Sequence, residues 1–266
     1  MKERLDKLLV QQGFCENIEK AKRVIMAGLV IVNDQKVDKA GTKIEVDSNI
    51  RIKGKNLKYV GRGGLKLEKA IKTFNLDFEG KIILDVGSST GGFTDCSLQN
   101  GAKYVYSVDV GTNQLDWKLR NNQNVKSLEN MHIKNLKLED IDNEKVDYIV
   151  MDVSFISLTN VFLYLNKFLK KEGKIMALIK PQFEVKKEDV DKGGIVKNFY
   201  KHKEAIKRVI DFAKNKNFYI ENMEVSPIMG GKGNIEYISL FNLEKESEID
   251  LEKVIESGKK LRKGDI

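Results

Sequence analysis

Four short runs constrain the fold of this chain more than any other feature. IILDV (82–86), YVYSVDV (104–110), YIVMDV (148–153) and KIMALI (174–179) are apolar, rich in Val and Ile, and mostly separated by helical stretches. Runs without polar alternation suit strands buried on both faces, as in a parallel sheet covered by helices on both sides. The pattern begins near Gly80 and closes differently. FYIENMEVS (218–226) and IEYISLFNL (235–243) are joined by the glycine-rich loop MGGKGN with no helix between them. That predicts an antiparallel pair at the sheet edge. No internal repeat is visible.

The first sixty residues read as a smaller unit of two short helices and then strands. Leu5, Leu8 and Leu9 have helical spacing, and Gly13 ends that helix. Asn17 is placed to cap the next helix, whose apolar face is Ala21, Val24, Ile25 and Ala27 and whose stop is Gly28. VIVN and KVDKA predict two strands around an Asn33-Asp34 turn, and IEVDSNIRI predicts one more. The expected division is a first domain at 1–58, a linker at 59–64, the sheet domain at 65–245 and a helical tail at 246–266.

The chain carries a net charge of +8, which favours a polyanionic partner. Residues 1–60 hold 13 Lys/Arg against 8 Asp/Glu, so +5 of that charge sits in less than a quarter of the chain. Lys20, Lys22 and Arg23 share the second helix and can face outward together. Two distant cysteines, Cys15 and Cys96, argue against a zinc cage or a disulfide framework. His132 and His202 have no partners at metal spacing, so no metal is expected and both read as structural or surface residues. Trp117, the only tryptophan, reads as core. No signal-peptide core and no apolar run near the ~20 residues of a membrane helix are present, so a cytoplasmic protein is expected.

The turn after the first sheet strand reads DVGSSTGGF. A dinucleotide fingerprint needs G-x-G-x-x-G, and here the middle glycine is Ser89. A phosphate loop needs Gly-Lys-Ser/Thr, which is absent. What remains, D-x-G-x-S-x-G, resembles the S-adenosylmethionine turn of Rossmann-like methyltransferases. Gly87 and Gly91 would let the backbone approach the ligand, and the following helix would offer its N-terminal amides. Asp109, about 20 residues on, is placed to accept ribose hydroxyls. The expected cofactor residues are Asp85, Gly87, Ser88, Ser89, Thr90, Gly91, Gly92, Phe93, Asp109 and Asp152. Asn130 and Met131 are weaker candidates beside the adenosine.

Three more segments narrow the reading: VGRGGLKL (60–67), MDVSFIS (151–157) and IKPQFE (179–184). With DVGSSTGGF and the basic N-terminal unit, they resemble the TlyA (haemolysin A) family over essentially the whole chain. The resemblance implies an α/β fold: a Rossmann-like, FtsJ-like methyltransferase domain with a mostly parallel seven-stranded sheet, its last strand antiparallel, behind a small α+β S4 RNA-binding domain. It further implies S-adenosylmethionine-dependent methylation of a ribose 2′-hydroxyl in ribosomal RNA on ribosomal subunits, at cytidines of large-subunit rRNA and, in the family's broader type that the extended tail favours, of small-subunit rRNA. The family's Lys-Asp-Lys-Glu tetrad falls on Lys66, Asp152, Lys180 and Glu236. Expected RNA contacts are Arg4, Lys7, Lys20, Lys22, Arg23, Lys36 and Arg62. The family's usual Ser-Arg at the S4 helix is Asn17-Ile18 here, which removes one such contact.

A 2′-hydroxyl is a weak nucleophile that must be aligned and relieved of its proton. Two roles stay open for Lys180: a base whose neutral form burial or the neighbouring Lys66 favours, or an ammonium that orients the oxygen. Competing readings are a non-catalytic RNA binder, a membrane-active lysin and a base methyltransferase. The complete tetrad opposes the first. The second lacks an amphipathic basic helix of membrane type. The third lacks its usual motifs, and Cys96 lies within a helix. Stable membrane association is not expected, and nothing in the sequence bears on oligomeric state.

Overall fold

The computed structural model describes residues 1–33, 35–52 and 58–264. The N-terminal unit is built from β1 (Lys2–Arg4), α1 (Leu5–Gln11), α2 (Ile18–Met26), β2 (Val30–Val32), β3 (Gln35–Val37), β4 (Lys43–Glu45) and β5 (Ile50–Ile52). Leu5, Leu8 and Leu9 are wholly buried in one cluster with Ala21, Ile25 and Val30. Asn17 caps α2, its side chain accepting from the Lys20 N–H at 2.9 Å. Ala27, expected on the apolar face, is exposed. β2 lies between β3 and β5, antiparallel to both. Asp34, half of the expected turn, lies outside the described residues.

The single strand expected around 44–52 is two. β4 pairs with β1, and β5 pairs with β2. Between them the Ser48 N–H bonds the Glu45 carbonyl at 3.0 Å, and the Asn49 N–H bonds Asn33 Oδ1 at 2.9 Å. Polar residues that satisfy nearby backbone turn the chain there. β1 is written in charged residues and carries no apolar alternation, so its sequence does not announce it.

The larger unit runs α3 (Gly63–Thr73), β6 (Ile82–Val86), α4 (Gly92–Gln99), β7 (Tyr104–Val108), α5 (Trp117–Arg120), β8 (Val125–Leu128), β9 (Val146–Met151), α6 (Leu158–Phe162), β10 (Leu169–Ile179), α7 (Pro181–Glu184), α8 (Phe199–Lys214), β11 (Tyr219–Val225), β12 (Tyr237–Asn242) and α9 (Leu251–Lys263). Its seven strands lie in the order β11-β12-β10-β9-β6-β7-β8. The five from β10 to β8 are parallel, while β12 is antiparallel to both β10 and β11. The expected antiparallel pair is at the edge, with β12 as its inner member.

β6 is buried at all five positions. Its side chains alternate between two cores. Ile82, Leu84 and Val86 join Tyr106, Ile149 and Phe241 on one face, and Ile83 joins Val105, Val150 and Met176 on the other. The chain runs outward from β6 to β8 and then returns to place β9 on the other side of β6. Strand order reverses at that point, which opens a crevice beyond the C-terminal ends of β6 and β9.

Both segments flanking the sheet domain in the expected division carry packed structure. Tyr59, expected in a linker, is 3% exposed and joins the second core, and the Val60 N–H bonds Asp95 Oδ2 at 2.8 Å. In the tail, α9 buries Val254, Ile255 and Leu261 in the first core.

Candidate active site

The glycine turn leaves β6 with φ of 83° at Gly87, 49° at Ser89 and 95° at Gly91. The amides of Gly87 and Ser88 bond the Val108 carbonyl at 2.8 and 3.2 Å, which ties the turn to the end of β7. The two glycines serve different ends. A Cβ on Gly87 would stand 3.1 Å from Val153 Cγ1 and 3.2 Å from the Asp152 carbonyl, and Gly87 lines the crevice. A Cβ on Gly91 would stand 2.3 Å from Leu119 Cδ1. Gly91 is therefore needed for its positive φ and for packing against α5, not for ligand approach, and it is absent from the crevice lining. Gly92 lines the crevice while its Cα face meets the backbone of Gly61 and Gly64.

Asp85 corrects the sequence reading. It is wholly buried and lines neither cavity. Thr94 Oγ1 donates to its Oδ2 at 2.7 Å and stands 2.6 Å from Ser107 Oγ. Burial pushes the Asp85 carboxyl up to about 7, against the Thr94 bond and with some help from the nearby Asp152 charge. Asp85 thus braces α4 against β6 and β7 beneath the turn.

Two cavities open at the switch point. The larger, about 690 Å³, is lined by Ser88, Thr90 and Phe93 of the turn region and by all four tetrad residues. The smaller, about 350 Å³, is bounded by Val108, Asp109, Met131, Ile133 and Val153. Gly87, Ser89, Asp152, Ser154 and Phe155 line both, so the two form a continuous crevice. Asp109 is held by two amides, Ser89 N–H on Oδ2 and Gly111 N–H on Oδ1, each at 2.7 Å. Each oxygen keeps a lone pair free to accept. Met131 lines the smaller cavity, but Asn130 does not: it turns the chain at φ 53° and is exposed. His132, read from the sequence as a structural or surface residue, lines that cavity too, with Ile133 and Val153, which the sequence did not single out.

The tetrad comes together in the larger cavity. Lys66 rises from the first turn of α3, Asp152 follows β9, Lys180 follows β10 at the N-cap of α7, and Glu236 precedes β12. Lys66 Nζ is 2.6 Å from Glu236 Oε2 and 3.4 Å from Asp152 Oδ2. Lys180 Nζ is 2.6 Å from Asp152 Oδ1 and donates to Ser154 Oγ at 2.9 Å. Lys66, Lys180 and Glu236 are 7%, 5% and 2% exposed. Burial opposes the Lys66 ammonium, but the charges of Asp152 and Glu236 outweigh it and raise its pKa. Burial also opposes the Asp152 carboxylate, yet the two lysines on either side hold it down to about 2. Two cations and two anions alternate across the pocket, and none is buried alone. Ser154 is a member that sequence reasoning missed; it lies two residues past Asp152 in MDVSFIS.

Phe155 marks the junction of the two cavities. It is 92% exposed, has φ of 63°, and its ring centroid is 5.3 Å from that of Phe183. An aromatic side chain held outward in the left-handed region is uncommon and concentrates at functional sites. Trp117, expected in the core, is 78% exposed at the start of α5. His202 is wholly buried, between Tyr237 Oη and the Val196 carbonyl, each at 2.8 Å. Among the described residues no group of His, Cys, Asp or Glu is placed to hold a metal ion.

The candidate RNA residues divide. Lys7, Lys22, Arg23 and Lys36 are exposed on the N-terminal unit. Arg4 is also exposed but bonds the buried Asp6 at 2.7 Å, and Lys20 pairs with Glu16 at 2.7 Å. Arg62 is not part of that surface. It lines the larger cavity and the groove between the two units, 6.0 Å over the Phe14 ring, and among the described residues its buried Nη1 has no hydrogen-bond partner.

Both units match known protein families. The FtsJ-like methyltransferase profile matches residues 59–243, and the S4 domain profile matches residues 3–50. The chain belongs to the FtsJ-like methyltransferase family. Among relatives of this S4-bearing FtsJ-like methyltransferase is a Bacillus subtilis protein named as an rRNA methyltransferase, YqxC, 48% identical over 89% of this chain and 84% of its own length. The 16S/23S rRNA (cytidine-2′-O)-methyltransferase TlyA of Mycobacterium tuberculosis is 34% identical over 88% of this chain and 87% of its own. A solved Streptococcus thermophilus structure described as a hemolysin superposes with a TM-score of 0.79 at 42% identity, covering 99% of this chain and 98% of its own. Among the described residues of this FtsJ-like methyltransferase, no helix is long and apolar enough to cross a membrane.

Proposed function

We propose that this protein methylates the 2′-hydroxyl of a ribose in ribosomal RNA, with S-adenosylmethionine as donor and a cytidine as target. The observation that carries the reading is the convergence of Lys66, Asp152, Lys180 and Glu236 in a crevice continuous with the cavity that Asp109 and Met131 bound. The residues present suit the donor. Gly87 leaves a gap beside Val153 that a Cβ would fill. The Asp109 oxygens suit ribose hydroxyls, and Val108, Met131, Ile133 and Val153 suit the faces of an adenine. When bound, S-adenosylmethionine supplies an electrophilic methyl on a sulfonium.

The chain's own residues then have separable tasks. Lys180 is ion-paired with Asp152 Oδ1 and donates a hydrogen bond to Ser154 Oγ, so its ammonium retains N–H capacity for the 2′-oxygen. This supports the orienting role over the base role, because a neutral Lys180 would forfeit its ion pair with Asp152. The hydroxyl proton would pass to solvent water as the oxygen is alkylated and becomes acidic. Lys66 and Glu236 neutralise each other and keep Asp152 in place. Phe155 offers a face on which the target base can stack. Lys7, Lys22, Arg23 and Lys36 suit phosphates, which position the RNA without choosing its sequence.

The test is transfer of a radiolabelled methyl group to purified ribosomal subunits, followed by alkaline hydrolysis of the RNA. The expected product resists alkali at the labelled nucleotide, and Lys180→Ala loses transfer while binding the donor normally. Label on a base, or none on RNA, overturns the reading.

A further inference from the structure

Residues 185–198 run between α7 and α8 along one wall of the larger cavity, to which Val185, Lys187, Val190 and Gly194 contribute. Their backbone is mostly irregular. A small reversal at Asp191–Ile195 is closed by the Asp191 N–H on the Ile195 carbonyl at 2.9 Å. A segment of this kind owes its position to what grips it from outside.

Two grips are visible, on opposite sides. On the cavity side stands Asn234, 3% exposed and two residues before Glu236. Its Nδ2 donates to the Gly194 carbonyl at 2.8 Å, and its Oδ1 accepts from the Val196 N–H at 3.2 Å. On the far side stands Arg262, in the last turn of α9. Its Nη2 donates to the Val196 carbonyl and its Nη1 to the Lys197 carbonyl, each at 2.9 Å. The guanidinium lies 4.5 Å over the Phe199 ring. A rigid planar fork is suited to bind two successive carbonyls. His202 Nε2 also contacts the Val196 carbonyl, and its Nδ1 then accepts from the Tyr237 hydroxyl. Tyr237 follows Glu236 directly. α9 approaches the same place closely at Gly258, where a Cβ would stand 3.0 Å from Tyr237 Oη and 3.2 Å from Ile235 Cγ2. Ile235 and Tyr237 flank Glu236 in the chain.

We propose that Arg262 is a positioning residue of the candidate active site, holding residues 190–198 against Asn234 and thereby fixing the wall and the Glu236 corner of the larger cavity. The inference rests on the function proposed above for that cavity. It gives the C-terminal helix a task the tetrad alone does not assign. The donor-side residues Val108, Asp109, Met131 and Val153 are outside this network, so donor binding and RNA turnover separate.

The experiment compares the full-length protein with Arg262→Gln, Arg262→Lys and the exposed-site control Lys260→Gln. Methyl transfer to ribosomal subunits, donor affinity and residue-resolved amide hydrogen exchange are measured on each. Arg262→Gln is expected to lower kcat about tenfold with donor Kd within twofold, and to speed exchange at Val196 about tenfold. Arg262→Lys should recover part of both, and Lys260→Gln should match the parent. The apolar anchors Val254, Ile255 and Leu261 keep α9 docked, so exchange in α8 and β11 should not change. Unchanged Val196 exchange in Arg262→Gln overturns the proposal, and so does loss of protection spread through α8 and β11, which marks a general structural role. If the parent itself transfers no methyl group to RNA, the functional reading fails while the exchange measurements still decide the clasp.

Discussion

Replacing Lys66 with methionine tests whether the four charges form one electrostatic unit. The side chain is 7% exposed and its ammonium lies between Glu236 at 2.6 Å and Asp152 at 3.4 Å. Methionine fills similar volume, so the change is mainly one of charge. Asp152 retains Lys180, but Glu236, 2% exposed, loses the ammonium beside it. Removing one partner of a buried pair costs about 3–5 kcal/mol. For a chain of this size a loss of about 3 kcal/mol lowers the melting temperature by roughly 6–12 °C. The double variant Lys66→Met/Glu236→Leu removes both charges and should recover most of that loss without recovering methyl transfer. Thermal melts at neutral pH on the parent, the single and the double variants provide the assay. The pH window follows from the shifts. The raised Lys66 pKa contributes stability that is full below the unfolded lysine value of roughly 10.4 and is lost as pH rises through the folded value. The depressed Asp152 pKa, about 2, contributes stability present above the unfolded value of roughly 3.9 and lost as pH falls through the folded one. From about pH 5 to 9 these two contributions are flat, so the melts belong in that range. A single variant melting within about 2 °C of the parent, or a double variant no more stable than the single, refutes the idea of a coupled unit.

Three further outcomes are expected. Asp85→Asn should flatten the stability profile between about pH 5 and 8: the carboxyl is raised to about 7, so its ionisation adds no penalty below the unfolded value of roughly 3.9, a penalty that grows as pH rises from there to the folded value, and a constant one above it. Melts at both ends of that range check this, and an unaltered slope counts against it. Gly91→Ala should destabilise by at least about 1 kcal/mol, because φ is 95° and Leu119 Cδ1 stands 2.3 Å from the new methyl, while donor affinity measured by calorimetry on the folded fraction stays within twofold. A selective loss of donor binding would return Gly91 to the ligand. Lys22→Ala and Arg23→Ala should each weaken RNA binding at all sequences and reduce the slope of log affinity against log salt by roughly 0.7–0.9, read from binding titrations at several salt concentrations. An unchanged slope removes the exposed face of α2 from the RNA interface.

Part of this architecture was legible because it depends on local chemistry. The apolar runs at 82–84 and 175–179 had to be in buried strands, since nothing in them faces water well, and Asn17 had to cap because its side chain reaches the amide three residues on. The tetrad positions were legible only through a family likeness; no periodicity connects Lys66 to Glu236, 170 residues away.

Sequence alone determined where most strands, turns and caps of the sheet domain fall, because those follow from side chains acting on their own backbone. Tertiary structure decided what the residues at those places face. Gly87 and Gly91 occupy one turn, yet one borders the crevice and the other packs on Leu119. Asp85 and Asp109 end neighbouring strands, yet Asp85 is sealed under Thr94 while Asp109 opens to the smaller cavity. Arg262 sits in a tail that the sequence marks only as helical, yet it grips two carbonyls beside the pocket. In each pair the distinction comes from elements far apart in the chain, and their meeting depends on how the sheet reverses between β6 and β9, which no local pattern encodes.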